Sequence, residues 1–280
     1  MSASVGPQAP YTRRTRRVLL ILLAYLANVI LVRIPFARFV LVPVLVAGAL
    51  TTPAAAATKT LTGRIIAIDP GHQLGNSRHS SQINRQVDAG GFRKPCNTTG
   101  TATNAGYPES SFAMSTANYL KARLEALGAK VYLTRTTESY ALWGPCVDVR
   151  GRFGAKAHAD LMVSIHGDGA ASQYRGFFVI RPALRKGWTD DIYARSNTLG
   201  QYVRAGLDGV RLARANDYGG DGLDTRGDLG TLNWSNVPVV MIEMGNMRNA
   251  GDAARMSSAS SRNNLYAAGL AHGITAYLRR

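Results

Sequence analysis

The chain has 280 residues and a formal net charge of +16 at pH 7, with 33 basic and 17 acidic side chains. A positive surface favours anionic partners such as charged polymers, lipid headgroups or nucleic acids. The basic residues are scattered, however, and form neither a continuous Lys/Arg stripe nor a run interleaved with aromatic residues. This pattern disfavours nucleic-acid binding.

The first 57 residues have the composition of a targeting segment. They contain six arginines but no Asp or Glu, and they end in the alanine run at residues 54–57. Their two apolar runs, residues 18–32 and 39–50, are shorter than the roughly 20 residues that a membrane span needs. We predict a signal peptide at residues 1–57. The remaining residues 58–280 would form one domain with a net charge of +10 and no stable transmembrane anchor.

Two features of this segment stay open. The second apolar run has its own basic residues and cleavage site, so we hypothesise that translation begins near Val32 and that the upstream stretch is an over-extended gene model. Residues 15–20, with the sequence TRRVLL, also resemble a twin-arginine signal. The sequence does not choose between this export route and the general secretory route.

Strand and helix patterns alternate along the rest of the chain. The predicted elements are a strand at residues 64–69, a polar, Gly-rich loop at 73–107, a helix at 109–127, a strand at 130–134, a helix at 147–159, strands at 161–165 and 176–180, a helix at 191–211, a strand at 238–242 and a helix at 262–278. This alternation predicts a single α/β domain whose mostly parallel, twisted sheet has helices on both faces. Unstructured loops as long as the first one are usually functional.

Cys96 and Cys146 are the two cysteines of the chain. Each follows a proline, which places both in loops. In an exported protein an even number of cysteines favours a disulfide. Closing a loop of about 50 residues would stabilise the fold by roughly 4 kcal/mol in the chain-entropy model. We predict a Cys96–Cys146 disulfide; the alternative is two free buried thiols.

Polar residues that carry chemistry follow three of the predicted strands. His72 ends the segment Asp69-Pro-Gly-His72, His166 ends a second strand and Glu243 a third, while Glu109 opens the first predicted helix. The carboxyl ends of strands in an α/β sheet meet at one edge, where ligands bind. Two histidines and one carboxylate there would match a catalytic zinc site, with the second carboxylate left free.

Each of these residues also has an ordinary explanation. A histidine after Pro-Gly is often a turn residue, and Glu109 suits any helix N-terminus. Spacing alone therefore leaves the zinc site undecided. The other histidines, His79, His158 and His272, lie in the polar loop and on predicted helices, and we expect structural roles for them.

The motifs together resemble the zinc-dependent N-acetylmuramoyl-L-alanine amidases of the third amidase family, particularly the minimal actinobacterial members. The resemblance runs from about Gly63 to Leu278. The matching segments are Ile68-Asp-Pro-Gly-His72, Tyr107-Pro-Glu109, Val131-Tyr-Leu-Thr-Arg135, Arg150, Ala159-Asp-Leu-Met-Val-Ser-Ile-His166, Arg175-Gly-Phe-Phe-Val179, residues 223–229 and Val240-Met-Ile-Glu-Met-Gly-Asn246.

The resemblance implies one zinc ion per chain, bound by His72, Glu109 and His166, with Glu243 as the catalytic carboxylate. Asp168 would support His166, and Asp69 could equally support His72. The implied reaction is hydrolysis of the amide bond between N-acetylmuramic acid and L-alanine in peptidoglycan or muropeptides. We accordingly expect a monomeric, secreted protein of the periplasm or cell wall.

Gly167 departs from the alanine that the family usually has after the second histidine. Residues 88–106 are too rich in Gly, Thr and Asn for the helix that plugs the site of longer, regulated relatives, so we expect an open site. Two other functions remain possible from the sequence. One is a zinc carboxypeptidase-like hydrolase of the stem peptide, and the other is a non-catalytic wall-binding protein.

Overall fold

The computed structural model describes residues 59–280, so the predicted signal segment lies outside the described residues. These residues form a six-stranded sheet and a separate two-stranded hairpin. The sheet contains β1 (Ile65–Pro70), β4 (Lys130–Leu133), β5 (Leu161–Asp168), β6 (Phe178–Pro182), β7 (Leu223–Arg226) and β8 (Val239–Asn246), and the hairpin contains β2 (Gln86–Asp88) and β3 (Arg93–Pro95).

Helices connect most of these strands. The α-helices are α1 (Ser80–Asn84), α2 (Glu109–Ala126), α3 (Val147–Lys156), α4 (Tyr193–Gly209), α5 (Gly230–Asn233), α6 (Ala250–Ser257), α7 (Ala259–Ser261) and α8 (Ala268–Leu278). Short 3-10 helices cover Leu74–Arg78 and Tyr218–Gly220, and a π-helical stretch, Arg262–Ala267, leads into α8. No helix within residues 59–280 is both long enough and apolar enough to cross a membrane.

The strand order across the sheet is β4-β1-β5-β8-β6-β7. All neighbouring strands are parallel except β6 and β8, which are antiparallel. The predicted mostly parallel α/β sheet is therefore confirmed. Because β1, β5 and β8 are neighbours at the centre, the residues at their carboxyl ends come together at one edge.

Side chains of the central strands alternate between two buried cores. In β1, Ile66 and Ile68 belong to one apolar cluster and Ala67 to the other. The first cluster includes apolar residues of α2, α4 and α8, and the second includes Leu232 of α5 and Phe153 of α3. Since successive strand residues point to opposite faces, this alternation shows that helices cover both faces, as predicted.

Several elements were absent from the sequence prediction. The predicted loop at residues 73–107 contains a 3-10 helix, α1 and the β2–β3 hairpin, and β7 also had no apolar signal. β7 is an edge strand that pairs only with β6. Short elements of this kind depend on tertiary pairing and lack the apolar periodicity that identifies buried strands.

The predicted disulfide is confirmed, with Cys96 bonded to Cys146 across a sequence separation of 50 residues. It joins the end of the hairpin segment to the residue that caps α3. The backbone N–H of Val147 also donates to the carbonyl of Cys96 at 2.8 Å. The bond therefore clamps two loops that approach each other from distant parts of the chain.

Reduction of this disulfide should lower the melting temperature of the protein by roughly 8–16 °C. This range follows from about 4 kcal/mol of chain-entropy stabilisation and about 2–4 °C per kcal/mol for a domain of this size. Scanning calorimetry with and without reductant would measure it. The double variant Cys96→Ser/Cys146→Ser, which should be insensitive to reductant, is the control. An unchanged melting temperature would contradict a stabilising bridge.

Candidate active site

His72 follows β1 at a sharp change of chain direction. The preceding N–H of Gly71 donates to the carbonyl of Ile165 at 2.9 Å, which keeps this turn against β5. A Cβ at Gly71 would lie 2.4 Å from Cε1 of His166, so only glycine fits there. His72 itself has a φ of 54°, in the left-handed region that non-glycine residues rarely adopt. The turn aims its imidazole back towards β5.

Glu109 is the first residue of α2, and its buried carboxylate lies between the two histidines. Oε1 is 3.1 Å from Nε2 of His72 and 2.9 Å from Nδ1 of His166. Oε2 accepts a hydrogen bond of 2.9 Å from the backbone N–H of Thr101. The backbone N–H of Gly167 also donates to Oε1 at 3.1 Å, so backbone groups hold both oxygens while Oε1 faces the two imidazoles.

His166 lies on β5 beside Glu243 of the neighbouring strand β8 in the sheet register. The rings of His72 and His166 have centroids 4.8 Å apart and are nearly perpendicular. One ligand atom from each of His72, Glu109 and His166 lies within 4.8 Å of the other two. The structure thus brings together the three residues that the sequence suggested as metal ligands.

The charges in this cluster are strongly coupled. Burial raises the pKa of the Glu109 carboxyl, but His72 and His166 outweigh it and the pKa falls below its usual range. Burial lowers the pKa of His166. For His72, the neighbouring Glu109 more than offsets burial and raises the pKa. An ionised carboxylate between two imidazoles is a donor set suited to a divalent cation.

Glu243 is the fourth predicted residue, and it lies next to this cluster. Its Oε2 is buried and has no hydrogen-bond partner among the described residues. Burial raises the pKa of Glu243 well above its usual range, and the charges of Glu109 and Asp168 raise it further. An unpaired buried carboxylate is costly to maintain and therefore indicates a functional role.

The sequence predicts that Glu243 ends its strand. In the structure Glu243 lies inside β8. The pairing of β5 with β8 continues past His166 through an irregularity to Asp168 and Asn246. At its carboxyl end the strand is therefore four residues longer than its apolar run, because it continues through residues 243–246.

These four residues line a cavity of about 340 Å³. Its other walls come from the β2–β3 hairpin, the loop after it, the first residue of α3, the start of α5 and β8, and they include Lys94, Asn97, Thr98, Val147, Leu229, Thr231 and Met241. The volume lies within the usual range of small-molecule sites. The cavity opens at the edge of the sheet where the strand order predicts ligand binding.

The loop after the hairpin forms one wall of the site. A Cβ at Gly100 would lie 2.8 Å from Oε2 of Glu109 and 2.9 Å from Cδ2 of His72, so glycine is needed for this close approach. Residues 88–106 contain no helix in the described structure, as the sequence predicts for this stretch. The loop contacts the ligands from the side and leaves the cavity accessible.

The expected supporting contacts differ from those in the structure. Nδ1 of His72 lies 3.1 Å from the carbonyl oxygen of Thr98. Because a carbonyl can only accept, Nδ1 donates to it, and Nε2, which faces Oε1 of Glu109 at 3.1 Å, is the nitrogen that could bind a metal. Thr98 therefore has the role that was suggested for Asp69, and no motif in the sequence identified it.

Asp69 and Asp168 have other partners. The buried carboxylate of Asp69 accepts hydrogen bonds from Ser164 at 2.7 Å and from Arg150 and Thr134. Oδ1 of Asp168 accepts from the N–H of Gly169 at 2.7 Å. In the part of the chain that the structure describes, neither carboxylate is hydrogen-bonded to the imidazole of His72 or His166.

Comparisons with known proteins identify the family to which the chain belongs. The profile of the N-acetylmuramoyl-L-alanine amidase family (Amidase_3) matches residues 66–276. The chain is similar to the N-acetylmuramoyl-L-alanine amidase Rv3717 of Mycobacterium tuberculosis (strain ATCC 25618 / H37Rv). The two are 38% identical over 244 residues, which cover 85% of this chain and 97% of that protein.

Two solved structures are similar over 78% of this chain. The N-acetylmuramyl-L-alanine amidase Ami1 from Mycobacterium smegmatis has 35% identity and a TM-score of 0.72, with 98% of its chain covered. The apo form of Ami1 from Mycobacterium abscessus has 36% identity and a TM-score of 0.72, with 99% of its chain covered. The chain described here therefore belongs to the N-acetylmuramoyl-L-alanine amidase family, the hydrolases that cleave N-acetylmuramic acid from L-alanine in peptidoglycan.

Proposed function

We propose that this chain is a zinc-dependent N-acetylmuramoyl-L-alanine amidase, in which His72, Glu109 and His166 bind one zinc ion and Glu243 transfers protons. The main support is the convergence of three ligand atoms within 4.8 Å of one another, beside the buried, unpartnered Oε2 of Glu243. This arrangement supplies both a cation site and a free carboxylate.

The residues fit zinc by their chemistry. Two imidazoles and one carboxylate are the protein ligands of a common class of catalytic zinc site. Oε1 of Glu109 lies close to a nitrogen of each imidazole, and the hydrogen bond from Nδ1 of His72 to Thr98 leaves Nε2 as the ring nitrogen that would give up its proton to bind a metal. When bound, zinc supplies a Lewis acid that polarises the scissile carbonyl and the attacking water.

Glu243 has the proton-transfer role in this proposal. Its carboxylate takes a proton from the attacking water and delivers it to the amide nitrogen, which is a poor leaving group unless protonated. Burial raises the pKa of Glu243, so the protonated form is stable enough to act as an acid. A divalent cation nearby favours the ionised form, so the same group also acts as a base.

The substrate that this site would accept is peptidoglycan or a muropeptide fragment. A cavity of about 340 Å³ accommodates the groups on either side of the scissile amide but not a long polymer, which must extend outside it. The Cys96–Cys146 disulfide supports a location outside the cytoplasm, because such bonds persist in oxidising compartments. We place the protein in the periplasm or cell wall after removal of residues 1–57.

Digestion of purified peptidoglycan by the chain without residues 1–57 tests this proposal. We expect free stem peptides with an L-alanine N-terminus, detected by mass spectrometry, together with one zinc per chain by elemental analysis. Chelation should abolish cleavage, and added zinc should restore it. Products that retain alanine on the sugar would instead indicate a stem-peptide hydrolase, and binding without any cleavage would indicate a wall-binding protein.

A further inference from the structure

Arg150 is a buried arginine beside the site, and the reaction proposed above does not use it. It lies on α3, and only 3% of it is exposed. Its guanidinium extends from the helix to the turn that carries His72. Nη1 donates to the carbonyl of Pro70 at 2.8 Å, and Nη2 donates to the carbonyl of His72 at 2.6 Å.

These two contacts hold the backbone on both sides of Gly71. One of them is at His72, whose backbone conformation is unfavourable. The φ of 54° at His72 lies in the left-handed region, which is sterically unfavourable for a residue with a Cβ. Such backbone persists only where the surroundings hold it in place. A rigid, planar guanidinium that donates to two nearby carbonyls provides this restraint.

The remaining N–H groups of Arg150 hold the opposite loop. Nη2 donates to the carbonyl of Gly144 and Nε donates to the carbonyl of Pro145, each at 2.9 Å. Nη1 also donates to the carboxylate of Asp69, whose negative charge balances that of the guanidinium. All five guanidinium N–H groups are thus used within the protein. Arg150 therefore has no free donor for a substrate, and any effect on the reaction must act through the residues that it holds.

The two loops that the Cys96–Cys146 disulfide joins also hold the imidazole of His72. Gly144 and Pro145 directly precede Cys146, which is bonded to Cys96. Nδ2 of Asn97 donates to the carbonyl of Pro145 at 2.7 Å. The next residue, Thr98, accepts from the His72 ring. The loop that contains Gly144 and Pro145 therefore holds the backbone of His72 through Arg150. The loop that contains Thr98 holds the ring of His72.

We propose that Arg150 is the positioning residue for the metal ligand His72 and that it determines the zinc affinity of the site. The inference rests on the proposed zinc-binding role of His72. Loss of groups that orient a metal ligand typically weakens metal binding by about 10- to 100-fold. Arg150 acts by keeping the left-handed turn intact before the metal arrives, so that binding does not have to order it.

The substitution Arg150→Lys tests this inference. Lysine keeps the positive charge beside Asp69, but its single ammonium group cannot reproduce donors to four carbonyls. We expect the dissociation constant for zinc, measured by competition with a fluorescent chelator, to rise by about 10- to 100-fold. The zinc concentration for half-maximal hydrolysis should shift equally, while the rate at saturating zinc stays within a few-fold of that of the unaltered protein.

Asp160→Ala is the matched control. Oδ2 of Asp160 accepts from the N–H of Ile65 at 2.7 Å, so it holds the opposite end of β1, far along the strand from His72. This variant should lose stability without losing zinc affinity. If Arg150→Lys does not fold, Asp69→Asn removes the charge that anchors the guanidinium and should also weaken zinc binding.

Two results separate this inference from the proposed function. If the unaltered protein binds no zinc, the proposed function itself fails. If the unaltered protein binds zinc, and Arg150→Lys or Asp69→Asn binds it with the same dissociation constant while its melting temperature falls, then Arg150 is only a structural residue and the inference is wrong.

Discussion

The Glu243→Gln variant should hydrolyse peptidoglycan about 10²- to 10⁴-fold more slowly than the unaltered protein, which is the usual contribution of a general acid–base group. Glutamine has nearly the same shape but can neither take a proton from water nor give one to the leaving nitrogen. The buried, unpartnered Oε2 of Glu243 makes no structural contact that the substitution would break. The rate is measured by the release of stem peptides.

Zinc content distinguishes a loss of proton transfer from a loss of metal. Glu243→Gln should retain one zinc per chain and a melting temperature at least as high as that of the unaltered protein, because a neutral side chain replaces a buried acid. Glu125→Gln is the control, since Glu125 is a solvent-exposed glutamate paired with Lys121 on α2. Full activity in Glu243→Gln would remove Glu243 from the mechanism.

The His166→Ala variant should lose both zinc and activity. His166 is one of only two imidazoles in the proposed ligand set, and its removal leaves a single imidazole and one carboxylate. We expect zinc affinity to fall by more than about 100-fold, beyond the usual effect of losing an outer-shell partner. Elemental analysis after dialysis and hydrolysis assays at limiting zinc would measure the two losses together.

His272→Ala provides the comparison for this variant. His272 lies on α8 with its side chain exposed, so its removal should change neither zinc content nor hydrolysis. Retention of one tightly bound zinc by His166→Ala would contradict the ligand set. Loss of activity without loss of zinc would indicate that His166 contacts substrate instead.

The main elements of the sheet could be predicted because their residues are buried on both faces. β1, β5 and β8 each begin with a mostly apolar run, and a residue that can bind a metal or transfer a proton comes near or just after the carboxyl end of each strand. β7 and the β2–β3 hairpin could not be predicted in this way. Their side chains are largely polar, and their conformation depends on partners that lie far away in the sequence.

The proposed ligands and Glu243 were identifiable because particular side chains are needed for metal binding and proton transfer. The groups that support them were harder to identify. Thr98 contacts His72 through its backbone carbonyl, which every residue has, so its identity carries no signal. The carboxylate of Asp69, three residues before His72, is easily recognised in the sequence as a candidate partner of that histidine. In the structure this carboxylate is instead hydrogen-bonded to Ser164 and Arg150.

Residue types and their order along the chain were thus sufficient to predict an α/β domain, a disulfide and a set of candidate ligands, because burial periodicity and ligand chemistry depend on side-chain identity. The resemblance to the amidase family was needed to choose the zinc site and the hydrolytic reaction. Only the folded molecule decides which strands become neighbours, how the left-handed turn at His72 is held and which donors surround that turn. These features arise from backbone carbonyls and from pairings between segments about 100 residues apart, such as β1 with β5. A linear pattern does not contain such contacts, since loop closure brings them together only as the chain folds.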